Sequence, residues 1–311
     1  MGKENITSVT EIVLIGLTNH RKTQILLFVI ILIIYSLTLM GNLVIISLVW
    51  TDLRLHTPMY FFLTNLSCLE ICHITCTLPP MLANLMSQNG TISFTCCVIQ
   101  MHAIGCLGGT ECILLGVMAY DRYLAISHPL LYTILMGRWR QVQLASASWA
   151  GGIIVSTTNI ICGLRLPYCG PNRINHFICE LPIVLKLACA DIHSTEMIVF
   201  GTSAVVILTS LAVILASYGL ILFSVLKMHS TTGLRKALST CVSHLAVVTL
   251  FYSTIIAAYV KPPSVTDPDS DKKLAVFYIV VTPLLNPIIY TLRNKDIHAA
   301  AAKVLRRRGL E

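Results

Sequence analysis

The chain has 311 residues, 55% of them hydrophobic and 12% charged, with a formal net charge of +8. Soluble domains carry about 25% charged residues, so this composition excludes a water-soluble globular fold and leaves no room for a large soluble domain. A bilayer crossing needs roughly 20 mostly apolar residues, and the length accommodates about seven with short connections.

The apolar runs predict spans at 25–50, 58–85, 97–124, 142–163, 197–227, 237–260 and 273–292. The fold class expected is an all-α membrane protein, a seven-helix bundle. Residues 1–24 form a tail before it, 164–196 a long loop within it, and 293–311 a second tail with an amphipathic helix. An odd number of crossings puts the termini on opposite sides. On the C-terminal side lie Arg54, Arg122, Arg138, Arg140, Lys227, Arg235, Lys236, Arg293, Lys295, Lys303 and Arg306 to Arg308. Only Asp52, Asp121, Asp296 and Glu311 accompany them, whereas the other side is nearly balanced. Cytoplasmic loops carry the excess of Lys and Arg, which predicts a cytoplasmic C-terminus and an extracellular N-terminus. The positive charge then reads as orientation signal and lipid contact, not as a nucleic-acid footprint. The first apolar run is too long for a cleaved signal and is expected to act as an anchor.

Taken in order, the tail carries the sequon Asn5-Ile6-Thr7 on the side predicted to face the secretory lumen. A second sequon begins at Asn89, close to the membrane; Asn65-Leu66-Ser67 lies inside a span and is set aside. Asn42 in span one is read as a helix–helix hydrogen-bonding residue. Pro58 opens span two, where a missing amide donor costs nothing. Glu70 in span two and Glu111 in span three are ionisable groups at membrane depth, which by default mark function. Two carboxylates at similar depth could share a sodium ion or a proton, because like charges oppose double ionisation; the alternative is a pair of neutral, hydrogen-bonded acids. Span three ends in Asp121-Arg122-Tyr123. Adjacent residues point different ways around a helix, so Arg122 is available as a latch to a second helix. Pro287 predicts a kink in span seven, with Asn286 placed to bond the freed carbonyls.

Cys68, Cys72, Cys76, Cys106, Cys112, Cys162 and Cys241 sit in or at the ends of apolar runs, where free cysteine behaves as a small hydrophobe. Cys97, Cys169, Cys179 and Cys189 face an oxidising compartment, and four cysteines allow three pairings. Cys96 competes with Cys97. Zinc is a rival because His176 lies near Cys179, but no tight ligand cluster exists, so disulfides are preferred. The long loop, stapled at several points, is expected to act as a lid.

The ordered set Gly41-Asn42, PMYFFLTNLS, MAYDRYLAISHPLLY, Ser217-Tyr218, KALSTCVSH, Phe251-Tyr252 and PLLNPIIYTLRN spans essentially the whole chain. It resembles the odorant receptors of the rhodopsin-like G-protein-coupled class, in their tetrapod branch. Glu70 stands where that family usually has Asp, and Ser253 where Gly is usual.

The resemblance implies a non-enzymatic plasma-membrane receptor with Cys97–Cys179 and Cys169–Cys189 bridges and glycosylation at Asn5. It implies a volatile odorant bound between spans three, five, six and seven, a stimulatory G protein that raises cyclic AMP, and a chaperone that assists trafficking. Asp121, Arg122, Tyr123, Tyr218, Asn286, Pro287 and Tyr290 would form the switch, and Tyr252 the pocket floor. Helical spacing from these anchors adds Ile104, Gly105, Gly108 and Gly109 on span three, and Ser203 and Ile207 on span five. Ile255, Ile256 and Tyr259 follow on span six, and Val276 and Ile279 on span seven. Mostly apolar and without formal charge, this wall suits a neutral hydrophobic ligand. The glycines have a second reading as close helix packing. No cofactor is expected beyond an allosteric sodium ion. The rivals are a chemosensory receptor of the same fold acting outside the nose, and a proton-coupled transporter, although the internal repeats of transporters are absent.

Overall fold

A computed structural model of the chain describes residues 9–87, 90–169, 172–227, 231–259 and 268–308. The side chains of 231–240, 258–259, 268–271, 292, 293, 295 and 304–308 are outside that description. So are Asn5 and Asn89, the two sequon acceptors, and the side chain of Tyr259.

Uninterrupted apolar sequence drives long helices, because in lipid the backbone must satisfy its own hydrogen bonds. These are α1 (Arg21–Thr51), α2 (Pro58–Ser87), α3 (Phe94–Ser127), a short α4 (Tyr132–Leu135) and α5 (Arg138–Leu164). After a single turn α6 (Leu181–Val184) come α7 (His193–Leu226), α8 (Thr231–Tyr259), α9 (Pro268–Val276), α10 (Thr282–Arg293) and α11 (Lys295–Arg308). The last crossing is composite: α9 and α10 are joined by a π-helical turn, Phe277–Val281. Six segments are long and apolar enough to span a bilayer, this composite among them, and the apolar part of α8, Cys241–Ala257, is the seventh. Exposed Ile25, Leu26, Val29 and Ile33 on α1 and Leu208, Leu215 and Leu222 on α7 form the lipid-facing surface.

Local capping sets several boundaries. Ser93 accepts the amide of Cys96 at 3.2 Å to start α3, the usual role of a serine N-cap. Asn294 accepts the amides of Asp296 and Ile297 to start α11. Asn42, expected to reach a neighbouring helix, instead donates to the Thr38 carbonyl of its own helix at 3.0 Å.

The bundle is built around α3, which packs chiefly on α5, α7 and α2. Its close approach to α5 rests on small residues. A methyl group built on Gly152 would run into Thr110 and stand 2.5 Å from the Cys106 carbonyl. Gly109 lies against the Gly152 backbone, and Gly105 against Ser156.

Residues 9–20, ahead of α1, include regular structure that was not expected of the tail. Strand β1 (Glu11–Leu14) pairs antiparallel with β2 (Thr91–Ser93) and parallel with β3 (Arg173–Ile174). This sheet ties the N-terminal segment to the α2–α3 connection and to the long loop. The same end carries both disulfides, Cys97–Cys179 and Cys169–Cys189. Cys96 is exposed and unbonded.

Gly152→Ala is expected to lower stability by about 1–3 kcal/mol, the usual cost of overpacking. Gly201→Ala, with open space around it, should leave stability unchanged or slightly raised. Thermal unfolding of the two purified variants beside the parent checks this; equal melting temperatures would contradict the close α3–α5 contact.

Candidate functional site

The proposed pocket residues divide by helical phase. Tyr252 is buried, and Ile207 and Ile255 pack against the same central cluster. Ile104, Val276 and the buried Ile279 belong to a second cluster, which includes Phe177 and Ile178 of the long loop. Ser203 is half-buried on α7. Gly108 has open space beside it. Gly105 and Gly109, one turn apart on another face, turn to α5, so their role here is packing. Ile256 is 42% exposed; Tyr252 and Ile255 share one helical face, and Ile256 falls about 100° away from Ile255. It faces outward.

The Tyr252 hydroxyl lies 2.6 Å from Ser210 Oγ of α7. Two turns along α8, the Tyr218 hydroxyl meets His244 Nδ1 at 2.7 Å. Both contacts join α7 to α8. Ser210 escaped the sequence reading, and His244 stood there only as the last residue of the KALSTCVSH motif, although a polar residue in each apolar span was the available signal.

At the disulfide end, Gln100 binds three elements together. Its Nε2 donates to the Cys76 carbonyl at 3.1 Å, and its Oε1 accepts from the Cys179 amide at 2.9 Å. The Tyr278 hydroxyl donates to Glu180, which tethers the loop to the seventh crossing. Cys179 is held in its disulfide and His176 Nδ1 is engaged with the Ile178 backbone.

In mid-bundle, Asn286 Nδ2 donates to Glu70 Oε1, not to the carbonyls freed by Pro287. Glu111 interacts electrostatically with Glu70 and Asn286. Glu70 Oε2, Glu111 Oε1, Asn286 Oδ1, Tyr290 OH and His244 Nε2 are buried with no hydrogen-bond partner among the described residues. Pro287 packs against Gly41, where a methyl group would stand 3.2 Å from its Cβ.

At the opposite end, Asp121 accepts from the Tyr132 hydroxyl at 2.9 Å. Tyr132 lies outside the spans, and burial, reinforced by the Asp121 charge, raises its phenol above the ordinary range. Tyr123 turns away to His128, 3.1 Å from Nε2. Arg122 is buried, with no hydrogen bond or ion pair among the described residues; its charge is felt by Asp121, Tyr218 and Tyr290. Of the residues expected to form the switch, Asp121, Tyr218 and Tyr290 lie within reach of the Arg122 charge, but Arg122 makes no direct bond to the two tyrosines. The C-terminal helix is docked nearby. Ile297 and Ala300 are buried in the central cluster. Tyr60 OH lies 2.9 Å from Asn294 Oδ1, and Lys303 Nζ lies 3.5 Å from Asp52.

A bundle of this topology is shared with squid rhodopsin, whose crystal structure superposes at a TM-score of 0.69 and 16% identity. The match covers 92% of this chain and 86% of that one. The fold is thus a seven-helix bundle of the rhodopsin type. The sequence profile of the olfactory receptor family matches residues 12–308. Human olfactory receptor 11L1 is 47% identical over 308 residues, covering 99% of this chain and 96% of that protein. Human olfactory receptor 2D2 is 48% identical over 308 residues, covering 99% of both. Mouse olfactory receptor 5AP2 is 44% identical over 302 residues, covering 97% and 95%. The chain belongs to the olfactory receptor family, a multi-pass membrane protein and not an enzyme.

The Arg54 guanidinium, through its hydrogen bonds to Asp52, holds that carboxyl well below the usual carboxylate range, with Lys303 adding a smaller attraction. A depressed folded value means the contribution is present above the unfolded pKa and is lost only as pH falls through the folded one. Intrinsic-rate-corrected amide exchange of 295–308 should stay unchanged from pH 7 to pH 4, where a free Asp carboxyl nears half protonation. Asp52→Asn should speed exchange at both. Faster exchange of the parent at pH 4 would contradict the depressed value.

Proposed function

We propose that this receptor binds small, uncharged, hydrophobic volatile molecules between α3, α7, α8 and the seventh crossing. It answers by activating a stimulatory heterotrimeric G protein, which raises cyclic AMP. The carrying observation is the Tyr252–Ser210 contact at the base of an apolar wall, with Ile207 and Ile255 packed on the same cluster. A ligand resting on Tyr252 bears on the junction of α7 and α8. The Tyr218–His244 contact lies about 12 Å further along α8 at 1.5 Å per residue, so a shift of α8 disturbs it directly. The ligand acts only through different affinities for the two arrangements.

The end bearing Arg122, Tyr218 and Tyr290 is assigned to the cytoplasm of a plasma-membrane receptor, on the distribution of Lys and Arg. There Leu130 is 91% and Ile134 75% exposed on the α3–α5 connection, which gives a partner protein apolar purchase beside the switch. Asn5 on the other side is the proposed glycan acceptor, and a trafficking chaperone the proposed accessory partner.

Glu70, Glu111 and Asn286 supply a cation or proton site. Each presents a buried oxygen with no hydrogen-bond partner among the described residues, and an all-oxygen donor set suits a hard cation such as sodium. Bound there, the ion would neutralise part of the carboxylate charge between α2, α3 and α10.

In cells expressing the receptor with a trafficking chaperone, a neutral volatile that raises cyclic AMP should fail on Arg122→Ala at equal surface level. A response kept by that variant would count against coupling through Arg122. Silence of the parent toward neutral volatiles, with surface expression confirmed, would count against the ligand class. Replacing sodium by N-methylglucamine at constant ionic strength should change the half-maximal ligand concentration about fivefold, the usual scale of linkage. Glu111→Gln should abolish that change; equal sodium dependence in both would exclude the ion from this site.

A further inference from the structure

A cavity of about 230 Å³ lies at the disulfide end, between the turn that links β1 to α1 and the last turns of α2. It is separate from the pocket proposed above. Its walls include Thr18, Gln24, Leu17, Met81, Asn84 and Phe177, and among the described residues no charged side chain lines it. Ligand pockets commonly run from roughly 300 to 1,000 Å³, so this one suits a molecule at the small end of that class.

Two glycines shape it. Gly16 has a φ of +78°, the left-handed region that glycine takes without steric cost. That turn carries the chain over the Asn84 side chain, and a methyl group on Gly16 would stand 3.9 Å from Asn84 Nδ2. On the other side, a methyl on Gly90 would stand 3.1 Å from Asn84 Oδ1. The backbone around the cavity is already satisfied: Leu14 donates to the Gly90 carbonyl at 2.7 Å and Gly16 to the His176 carbonyl at 3.1 Å. Gln24 is engaged too, its Nε2 donating to the Thr18 carbonyl at 3.0 Å. Asn84 Nδ2 differs. It is shielded from solvent and has no hydrogen-bond partner among the described residues. A buried donor left unmatched is costly, and here it borders a cavity.

We propose that this cavity is an outer binding site for a small, uncharged molecule that carries a carbonyl or hydroxyl oxygen. Asn84 Nδ2 donates to that oxygen, while Leu17, Met81 and Phe177 cover the hydrocarbon part. Arg21 at the edge is engaged by the Leu85 and Met86 carbonyls, so an ion finds no free counter-charge in the described lining, and burying it unpaired is unfavourable. Phe177 and Leu17 also pack in the cluster that holds Ile104 and Ile279. The outer site therefore shares an apolar partition with the bundle interior, and a ligand in it touches the loop that roofs the bundle.

The test reads occupancy by chemical labelling of purified full-length receptor in lipid nanodiscs, so it is independent of signalling. Leu85→Cys places a thiol in the cavity wall with Asn84 intact. Peptide mass analysis separates this introduced thiol from the native cysteines, and exposed Cys96 serves as the internal reference. Methyl methanethiosulfonate, small and neutral, should label the introduced thiol, and its charged sulfonatoethyl analogue should do so far more slowly. Pentan-2-one should slow labelling roughly threefold at twice its dissociation constant, by the factor 1 + [L]/Kd. Pentane, lacking the acceptor, should not protect, and Asn84→Leu in the Leu85→Cys background should remove the protection by pentan-2-one. Should Leu85→Cys fail to fold, Thr18→Cys at the rim carries the same measurement. No protection by pentan-2-one would overturn the proposal and leave the cavity to water. Equal protection by pentane, or protection that survives Asn84→Leu, would overturn the role of the amide.

Discussion

The contact between α3 and α5 at Gly152 fixes much of what the rest of the bundle does. In lipid there is no hydrophobic drive between helices, so close van der Waals packing of small residues sets their geometry. Gly152 lies against the backbone of α3 at Cys106 and Thr110, and Gly105 and Gly109 complete the seam. This contact sets the rotation of α3 about its own axis. Once that rotation is set, Ile104 and Gly108 face the interior, Glu111 meets Glu70 and Asn286, and Asp121 meets Tyr132. Functional positions spread over more than four turns of one helix thus depend on a few hydrogen atoms in place of side chains.

The two ends of the bundle are held by bonds of different strength. At one end, two disulfides, a three-stranded sheet, the Gln100 bridge and the Tyr278–Glu180 bond join the loops to the helices. A disulfide stabilises by roughly 2–4 kcal/mol. At the other end, α7 and α8 are joined by Tyr218–His244, while α3 meets α7 through Ser127–Ser224 at 2.7 Å. Each such hydrogen bond contributes about 0.5–1.5 kcal/mol net. Only the first end has covalent ties across its elements among the described residues.

Hydropathy made the helices legible because each lipid crossing must be long, apolar and self-bonded, and those demands leave little ambiguity along the chain. The acids at depth, Glu70 and Glu111, were legible for the same reason. Partners were harder. Asn42 and Asn286 both read as polar residues needing a bond, yet one bonds its own helix and the other reaches Glu70, a choice made by helix rotation. Ile256 was assigned to the pocket by helical spacing from the anchors, although one residue of helical phase from Ile255 turns it outward. Gly105, Gly108 and Gly109 looked equivalent, and only the position of α5 separates them. Strand β1 gave little signal, since EIVL is four residues long and pairs with segments far away in sequence. The π turn at Phe277–Val281 gave none, because it differs from an α-helix by one residue of hydrogen-bond register.

What distinguishes this bundle from an inert membrane core is the pattern of buried polar atoms it leaves unmatched. Oxygens of Glu70, Glu111 and Asn286, the hydroxyl of Tyr290 and Nε2 of His244 lack hydrogen-bond partners among the described residues. A core built only for stability would pair or delete them, since unmatched polar groups are costly in low dielectric. Their residues come from α2, α3, α8 and α10, so no single helix can satisfy them by a local adjustment. Relief requires either a guest, such as an ion or a proton between the carboxylates, or a displacement of one helix relative to another. These two remedies compete for the same atoms. If the acids hold the ion proposed above, that guest favours the packing described here, whereas a ligand that moves α8 opposes it. On the function proposed above, the polar core would therefore link the two sites in opposite directions.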